Sequence, residues 1–402
     1  TLLQKYTISR TMATTMTTKV TSRKLPRLVL HFDVNETILL GDVAGGDSFE
    51  DGINKCIAKN AIVNAKDVNH ITWYDGTPLE STASMKSPPP LLSDWERPEH
   101  CTSYYEYYRK LLGDKRKQFT TLQHGKGYRK IYEQVEKRLR WPTEEPKPDP
   151  SDSILHEDGI HQFLLPSFFK TLSTLKQRGR SFSVVIRTYG DDMDELVACI
   201  NAFSQGKHLS KYYYHDDDGT NDNNNKKKLN EFFITKDDVW KGRYDEKDGN
   251  FKLQNKFDEK KIISDENEAL KMLQGNNKDN SISIVACQDD YHYWANNGYR
   301  PSFGKPLWIT ESDQNYHHIF FDDNIKNNPD DSIVAVRSRE NENEPFKALD
   351  GTATLKLHGI NLVKVPTYEA VLDEDWFLKQ IEACEKQLLN TASRKQQAPG
   401  KF

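Results

Sequence analysis

The amino-acid sequence predicts an α/β protein: a Rossmann-like, mostly parallel, doubly wound sheet flanked by helices. Three observations predict it. Short apolar runs recur along the 402-residue chain, among them Leu28-Val-Leu-His-Phe, Phe182-Ser-Val-Val-Ile and His318-Ile-Phe-Phe. Between several of them lie stretches whose apolar residues return every three or four positions, the period of a helix laid against a sheet. Three of the runs also release a polar group at their carboxyl end, Asp33, Thr188 and Asp322, which is where open α/β sheets collect their ligands.

Composition narrows the class. Hydrophobic residues make up 36% of the chain and charged residues 29%, enough apolar material for a large core under a polar surface. A formal charge of −4 and the absence of a basic block give no electrostatic footprint for nucleic acid. No apolar run approaches the roughly 18 residues that would span a membrane. The five cysteines, Cys56, Cys101, Cys199, Cys287 and Cys384, are far apart and odd in number. That excludes a disulfide framework or a Cys-x-x-Cys zinc site and favours a reducing, cytoplasmic setting with the thiols buried as small hydrophobes.

Residues 1–26 read as a flexible tail. The first 27 residues hold no Asp or Glu but carry Lys5, Arg10, Lys19, Arg23, Lys24 and Arg27 among many Thr and Ser. Mitochondrial transit peptides share that composition, which makes a mitochondrial location the alternative. Met12-Ala13 would make an internal start.

The core is expected from 27–46 and 160–402. Leu28 to Asp33 forms the first strand. After it, Gly41 to Gly46 is a loop without the Lys-Ser/Thr or spacing of a nucleotide P-loop, and Asp47 is placed to cap a helix running to about Asn60. Residues 47–159 read as an insertion of mixed structure. It contains a strand entering an Asp75-Gly76 turn, helices over 103–112 and 127–141, and a linker from Trp141 to Pro150 holding four prolines. The core resumes with Pro166 leading a helix over 167–178, closed by Gly179. The strand Phe182–Thr188 follows, then a helix over 194–203. Residues 206–280 read as a polar, partly disordered insertion within the core, with one helix over 265–273; its Tyr, Asp, Asn and Lys clusters between 212 and 229 cannot bury a face. Ser281–Cys287, His318–Phe321, Ile333–Val336 and Leu362–Val365 supply further strands, and 375–389 a final helix.

Some polar residues take the plainer reading. His31 sits inside a strand as a core histidine, and His317-His318 lack a metal-ligand partner at helical spacing. Gln288-Asp289-Asp290 follows a strand and could face the same crevice, though a helix cap suffices to explain it.

Asp33-Val-Asn35-Glu-Thr37-Ile resembles the first motif of the haloacid dehalogenase-like (HAD) hydrolases, normally Asp-x-Asp-x-Thr/Val. Pro166, an amphipathic helix, Gly179, an apolar strand and Thr188 are similar to the run-up to the family's second motif. Lys305 and Asp322-Asp323 fall in the order of the later ones. The resemblance implies a HAD-like core in which residues 47–159 form a cap that selects substrates. It implies that Asp33 attacks phosphorus and forms an aspartyl phosphate, that Thr188 donates its hydroxyl to a phosphoryl oxygen with Gly190 beside it, and that Lys305 neutralises the phosphate. The metal would be held by Asp33, by the main chain of Asn35, and by Asp322 or Asp323, with Asn327 as a further polar position.

Magnesium is the expected cation, since it takes hard oxygen ligands. The substrate would be a phosphate monoester, small molecule or phosphoprotein. Asn35 departs from the family, because the usual second Asp protonates the leaving group. Such general acid–base help contributes about 10²–10⁴ in rate, and an amide cannot give it. Three readings follow: a Mg²⁺-dependent phosphohydrolase, slow or acting on good leaving groups; a weak or inactive phosphate-binding, regulatory relative; or a phosphotransferase.

Overall fold

The computed structural model describes residues 25–397 except 43–44, 68, 80–86, 214–229, 246–248 and 276–280. Most of the expected tail and of the low-complexity stretch lies outside these residues. An eight-stranded sheet runs in the order Leu362–Lys364, Tyr316–Asp322, Arg27–Asp33, Phe182–Thr188, Ile282–Gln288, Val239–Tyr244, Phe251–Asn255, Ile262–Ile263. The first six are mutually parallel and the last two antiparallel. The α/β class with a mostly parallel sheet therefore holds.

Two-residue alternation covers both faces of this sheet, as a parallel sheet requires. Leu28, Leu30 and Phe32 enter one apolar cluster with helices Pro166–Gln177 and Met193–Ser204. Val29, Val185 and Val285 enter another on the opposite face, with Trp308. Asp33 continues the parity of Val29 and His31, and Asp322 that of Phe320 and His318, so both carboxylates leave the sheet on the second face. His31 is buried there as expected, 3.2 Å from His318 Nδ1 and stacked on Phe320.

A second, three-stranded sheet packs on that face: Lys305–Thr310, Val334–Arg339 and Lys347–Ala348. The apolar run from Ile333 thus does not join the main sheet. It pairs in parallel with Lys305–Thr310, Lys305 opposite Val334. Gly304 permits the approach, because a Cβ there would fall 2.1 Å from the Ile333 carbonyl oxygen.

Residues 47–159 hold the helix Phe49–Asn60, a small antiparallel sheet (Thr72–Trp73, Ile62–Asn64, Cys101–Ser103) and the helix Arg129–Leu139. Their Ile53, Tyr104, Phe119 and Val135 share the apolar cluster of the main sheet. The helix 49–60 is capped by Ser48 in a capping box with Asp51, one residue beyond the expected Asp47. Asp47 turns its carboxylate to Lys55 and Lys117 instead. The expected helix over 103–112 is two short ones, Tyr104–Tyr107 and Arg109–Leu112.

The larger difference concerns 206–280. The sequence predicts one helix and irregular backbone; the helix is present as Glu266–Gln274, capped by Asp265, but three strands also extend the main sheet. Trp240, Phe251 and Leu253 are buried in the second-face cluster and Val239 in the first, while Lys252 and Gln254 alternate with Phe251 and Leu253 and stay half-exposed. All five cysteines are free and buried. Among the described residues no helix is long and apolar enough to cross a membrane.

Candidate active site

Neighbouring parallel strands deliver the central carboxylates. Phe32 pairs with Phe321, so Asp33 and Asp322 emerge side by side, and Asp323 follows as the chain turns. Carboxylate oxygens of Asp33, Asp322 and Asp323 lie within 4.8 Å of one another, and all three residues are buried. Lys305, 1% exposed, places its ammonium between Asp33 Oδ1 and Asp322 Oδ2, the latter at 2.9 Å. It comes from the second sheet, 272 residues from Asp33 in the chain.

Of the remaining oxygens all but Asp323 Oδ2 are held by groups close in sequence. Thr37 donates its hydroxyl to Asp33 Oδ2 at 3.1 Å and accepts the Asp323 N–H at 3.1 Å. Asn324 gives its N–H to Asp322 Oδ1 at 2.7 Å and its amide to Asp323 Oδ1 at 2.9 Å. Lys59 bridges Asp323 Oδ2, at 2.9 Å, and Glu36. Lys55, one helical turn earlier, also pairs with Glu36, at 2.5 Å. Glu36 has φ +59°, a left-handed conformation for a side-chain-bearing residue, held by these lysines and by Thr367 donating to its carbonyl. Such strain persists only where surroundings over-determine it, and it clusters at functional sites.

The electrostatics follow from burial. Burial, then the charge on Asp322, pushes the Asp33 carboxyl well above its ordinary value, against the pull of Lys305. Burial likewise raises Asp323 to about 6, with Lys59 opposing. Burial alone would strip the ammonium of Lys305, but Asp322 and Asp33 hold it above its usual range. The same holds for Lys59 beside Asp323 and Glu36. Burial would raise Glu36 as well, but Lys59 and Lys55 bring it below its ordinary value. Asp33, Asp322, Asp323 and Glu36 are thus four buried carboxyls with three lysines in ion pairs to them, and a fourth lysine, Lys364, on the Asp323 carbonyl with its ammonium weakened by burial. A compact set of hard oxygen donors short of positive charge suits a small divalent cation, with Asp33, Asp322 and Asp323 the residues able to hold it.

Asn35 and Thr188 lie to the other side. Thr188 Oγ1 donates to Asp192 Oδ1 at 3.1 Å and accepts the Gly190 N–H at 2.9 Å. Asn35 is half-buried; its amide hydrogen-bonds the Asp192 carboxylate, and its Oδ1 is buried without a donor among the described residues. Gly190 allows this closeness, because a Cβ there would lie 2.9 Å from Asp192 Oδ1 and 3.3 Å from Asn35 Nδ2. Burial raises the Asp192 carboxyl, opposed by the Thr188 hydrogen bond, and its Oδ2 has no partner among the described residues.

Of the sequence-predicted residues, Asp33, Lys305, Asp322 and Asp323 therefore converge, with Asn35, Thr188 and Gly190 adjoining through Asp192. Asn327 does not reach the cluster. It is exposed, and its N–H goes to Asp94 at 3.0 Å, while Asn324 supplies the amide at the carboxylates. The sequence does not single out Lys59, Asn324 or Asp192; Glu36, adjacent to Asn35 in the chain, is held by Lys55 and Lys59 rather than standing in for the missing acid. The i, i+4 spacing of Lys55 and Lys59 puts both on one helix face, but nothing in the sequence aims that face at Glu36. Asp290 caps the helix Tyr291–Asn296 as expected, whereas Asp289 forms a buried pair with Arg187.

Two cavities reach the site. One, of about 480 Å³, touches it through Asp323 and Asn324 and is lined also by Lys55, Lys59, Arg97 and Arg116. The other, of about 730 Å³, touches it through Asp191 and Asp192 and is lined also by Asp149, His156 and Glu157. Comparisons with protein-family models, curated proteins and solved structures find no match for this chain.

Proposed function

We propose that the chain is a HAD-like, Mg²⁺-dependent phosphohydrolase that cleaves a phosphate monoester through an aspartyl phosphate on Asp33. The observation that carries the reading is the convergence of Asp33, Asp322, Asp323 and Lys305 at the carboxyl ends of adjacent parallel strands. In this reading residues 47–159 are the cap, supported by their share in the 480 Å³ cavity beside Asp323.

Asp33 would be the nucleophile: a carboxylate oxygen bonds to phosphorus as the ester P–O bond breaks, and water then cleaves the acyl phosphate. Lys305 favours the ionised form that attack requires. Thr37 fixes the Asp33 carboxylate through Oδ2, leaving Oδ1 toward Lys305. Bound Mg²⁺, held by Asp33, the Asn35 main chain and Asp322 or Asp323, would neutralise charge on the phosphoryl oxygens. Thr188 would turn its hydroxyl from Asp192 to the phosphoryl group. The leaving oxygen cannot take a proton from Asn35. Asp192, raised by burial and hydrogen-bonded to Asn35, is the carboxyl standing against that position.

The test is Mg²⁺-dependent release of p-nitrophenol from p-nitrophenyl phosphate by the wild type, Asp33→Asn and Asn35→Asp. Activity lost in Asp33→Asn and raised in Asn35→Asp supports a slowed hydrolase. Silence in all three favours the second reading, a catalytically inactive phosphate-binding relative, for which Asn35 is the specific observation.

A further inference from the structure

We propose that the substrate is a small molecule carrying a second anionic group of the phosphate type, seated in the cavity beside Asp323. The inference rests on the phosphohydrolase reading for the reacting phosphate and goes beyond it in naming what the rest of the substrate bears.

Seven basic and four acidic side chains line that cavity. Five of the seven cations are paired: Arg97 with Asp94 at 3.2 Å, Lys326 with Asp331 at 2.7 Å, Lys59 with Asp323, Arg109 with Glu106 at 3.9 Å, and Lys55 with Glu36 and Asp47 outside the lining. Two cations remain without a carboxylate partner among the described residues. Lys364 gives its ammonium only to the main-chain carbonyl of Asp323. Arg116 donates Nη1 to the Tyr105 carbonyl at 3.2 Å and lies over the Tyr105 ring, 3.8 Å from its centroid. An arginine held by stacking on an aromatic ring at the cavity wall is placed to meet an anion there.

The volume suits a small molecule. About 480 Å³ lies within the range of small-molecule sites, roughly 300–1,000 Å³, and the cavity reaches the carboxylate cluster at Asp323. One molecule filling it would run from Asp323, at the edge of that cluster, to Arg116 and Lys364. The 730 Å³ cavity repels the same anion: Asp149, Glu157, Asp191, Asp192 and Glu195 line it against one lysine, Lys147.

Calorimetric titration of the full chain, in saturating Mg²⁺, with propane-1,3-bisphosphonate and with propylphosphonate tests the proposal. The bisphosphonate is expected to bind about 10-fold tighter or more, the worth of one added charge-assisted contact. Arg116→Ala and Lys364→Met are each expected to remove most of that advantage, whereas Arg116→Lys retains part of it and Asp149→Asn all of it. Equal affinity for the two ligands overturns the proposal, as does an advantage that survives both Arg116→Ala and Lys364→Met. Phosphate release from propane-1,3-diol bisphosphate and from the monophosphate separates the two readings. Absence of release from either sinks the hydrolase and leaves the binding result standing.

Discussion

The two cavities border the candidate site at different residues, one at Asp323 and the other at Asp192, and carry opposite charge. On the Asp323 side the walls come from the helix Phe49–Asn60, the segment around Arg97 to Arg116 and the loops after the strands Tyr316–Asp322 and Leu362–Lys364, and lysine and arginine predominate. On the Asp192 side they come from residues 147–159 and the start of the helix Met193–Ser204, and carboxylates predominate. Clefts lined by one sign of charge concentrate ions of the other. An anionic ester is therefore drawn to one side only, and the acidic side is left for water, protons or cations.

The largest expected effect is at Asp33, which lines neither cavity. Asp33→Asn should lower Mg²⁺-dependent phosphate release by about 10³-fold or more, since an amide cannot attack phosphorus; a residual rate near wild type in a stopped assay would reject Asp33 as nucleophile. Next is Lys305→Met, which leaves two buried carboxylates facing each other. A loss of about 3–5 kcal/mol is expected in urea unfolding at pH 7, the usual result of taking one partner from a buried charge cluster. Little change would mean that the pair is already compensated by water.

Asp192→Asn sharpens the contrast between the sides. If Asp192 carries the proton that Asn35 cannot, turnover of an alkyl phosphate should fall about 10²-fold and that of p-nitrophenyl phosphate much less, because nitrophenolate leaves unaided. Equal losses for both esters would assign Asp192 a positioning role through Thr188.

The pH dependence of stability reads the basic side. Asp323 is raised to about 6 in the folded state, above its unfolded value of about 3.9. Its contribution to stability is complete below about pH 4 and is lost as pH rises through about 6. Without metal, the wild type should therefore lose on the order of 2–3 kcal/mol relative to Asp323→Asn between pH 4 and 7, and Mg²⁺ at pH 7 should restore it. Parallel unfolding curves for the two proteins across that range would remove Asp323 from the charge deficit. The smallest effect is Asp149→Asn on the acidic side, expected to change the apparent KM for an anionic ester by less than about twofold.

Much of the site lies at the ends of strands that the sequence displays, and it was legible for that reason. Asp33, Thr188 and Asp322 each terminate a fully buried seven-residue or near-seven-residue apolar run, a pattern with few alternatives. Lys305 could be nominated only by order, since its approach depends on pairing with Val334 and on Gly304, contacts that no local pattern encodes. The strands between 239 and 263 were hidden by charge. Phe251-Lys-Leu-Gln-Asn does alternate, but one face of it carries Lys and Gln near the end of the sheet, with only Ile262–Ile263 beyond it, so it reads as solvated chain. Asn327 and Asn324 show the limit of motif spacing: three residues apart after a strand, they point to different surroundings, and only backbone geometry decides which meets a carboxylate.

Lys55 and Lys59 both spring from the helix Phe49–Asn60 and together neutralise Glu36 and Asp323. Tilting that helix away would unscreen two carboxylates at once, so the angle at which 47–159 sits on the sheet and the affinity of the centre for protons or a divalent ion are thermodynamically linked. Whatever loads the centre with positive charge weakens the grip of those lysines, and residues 47–159 are loosened or tightened on the sheet by the charge state of the carboxylates beneath them.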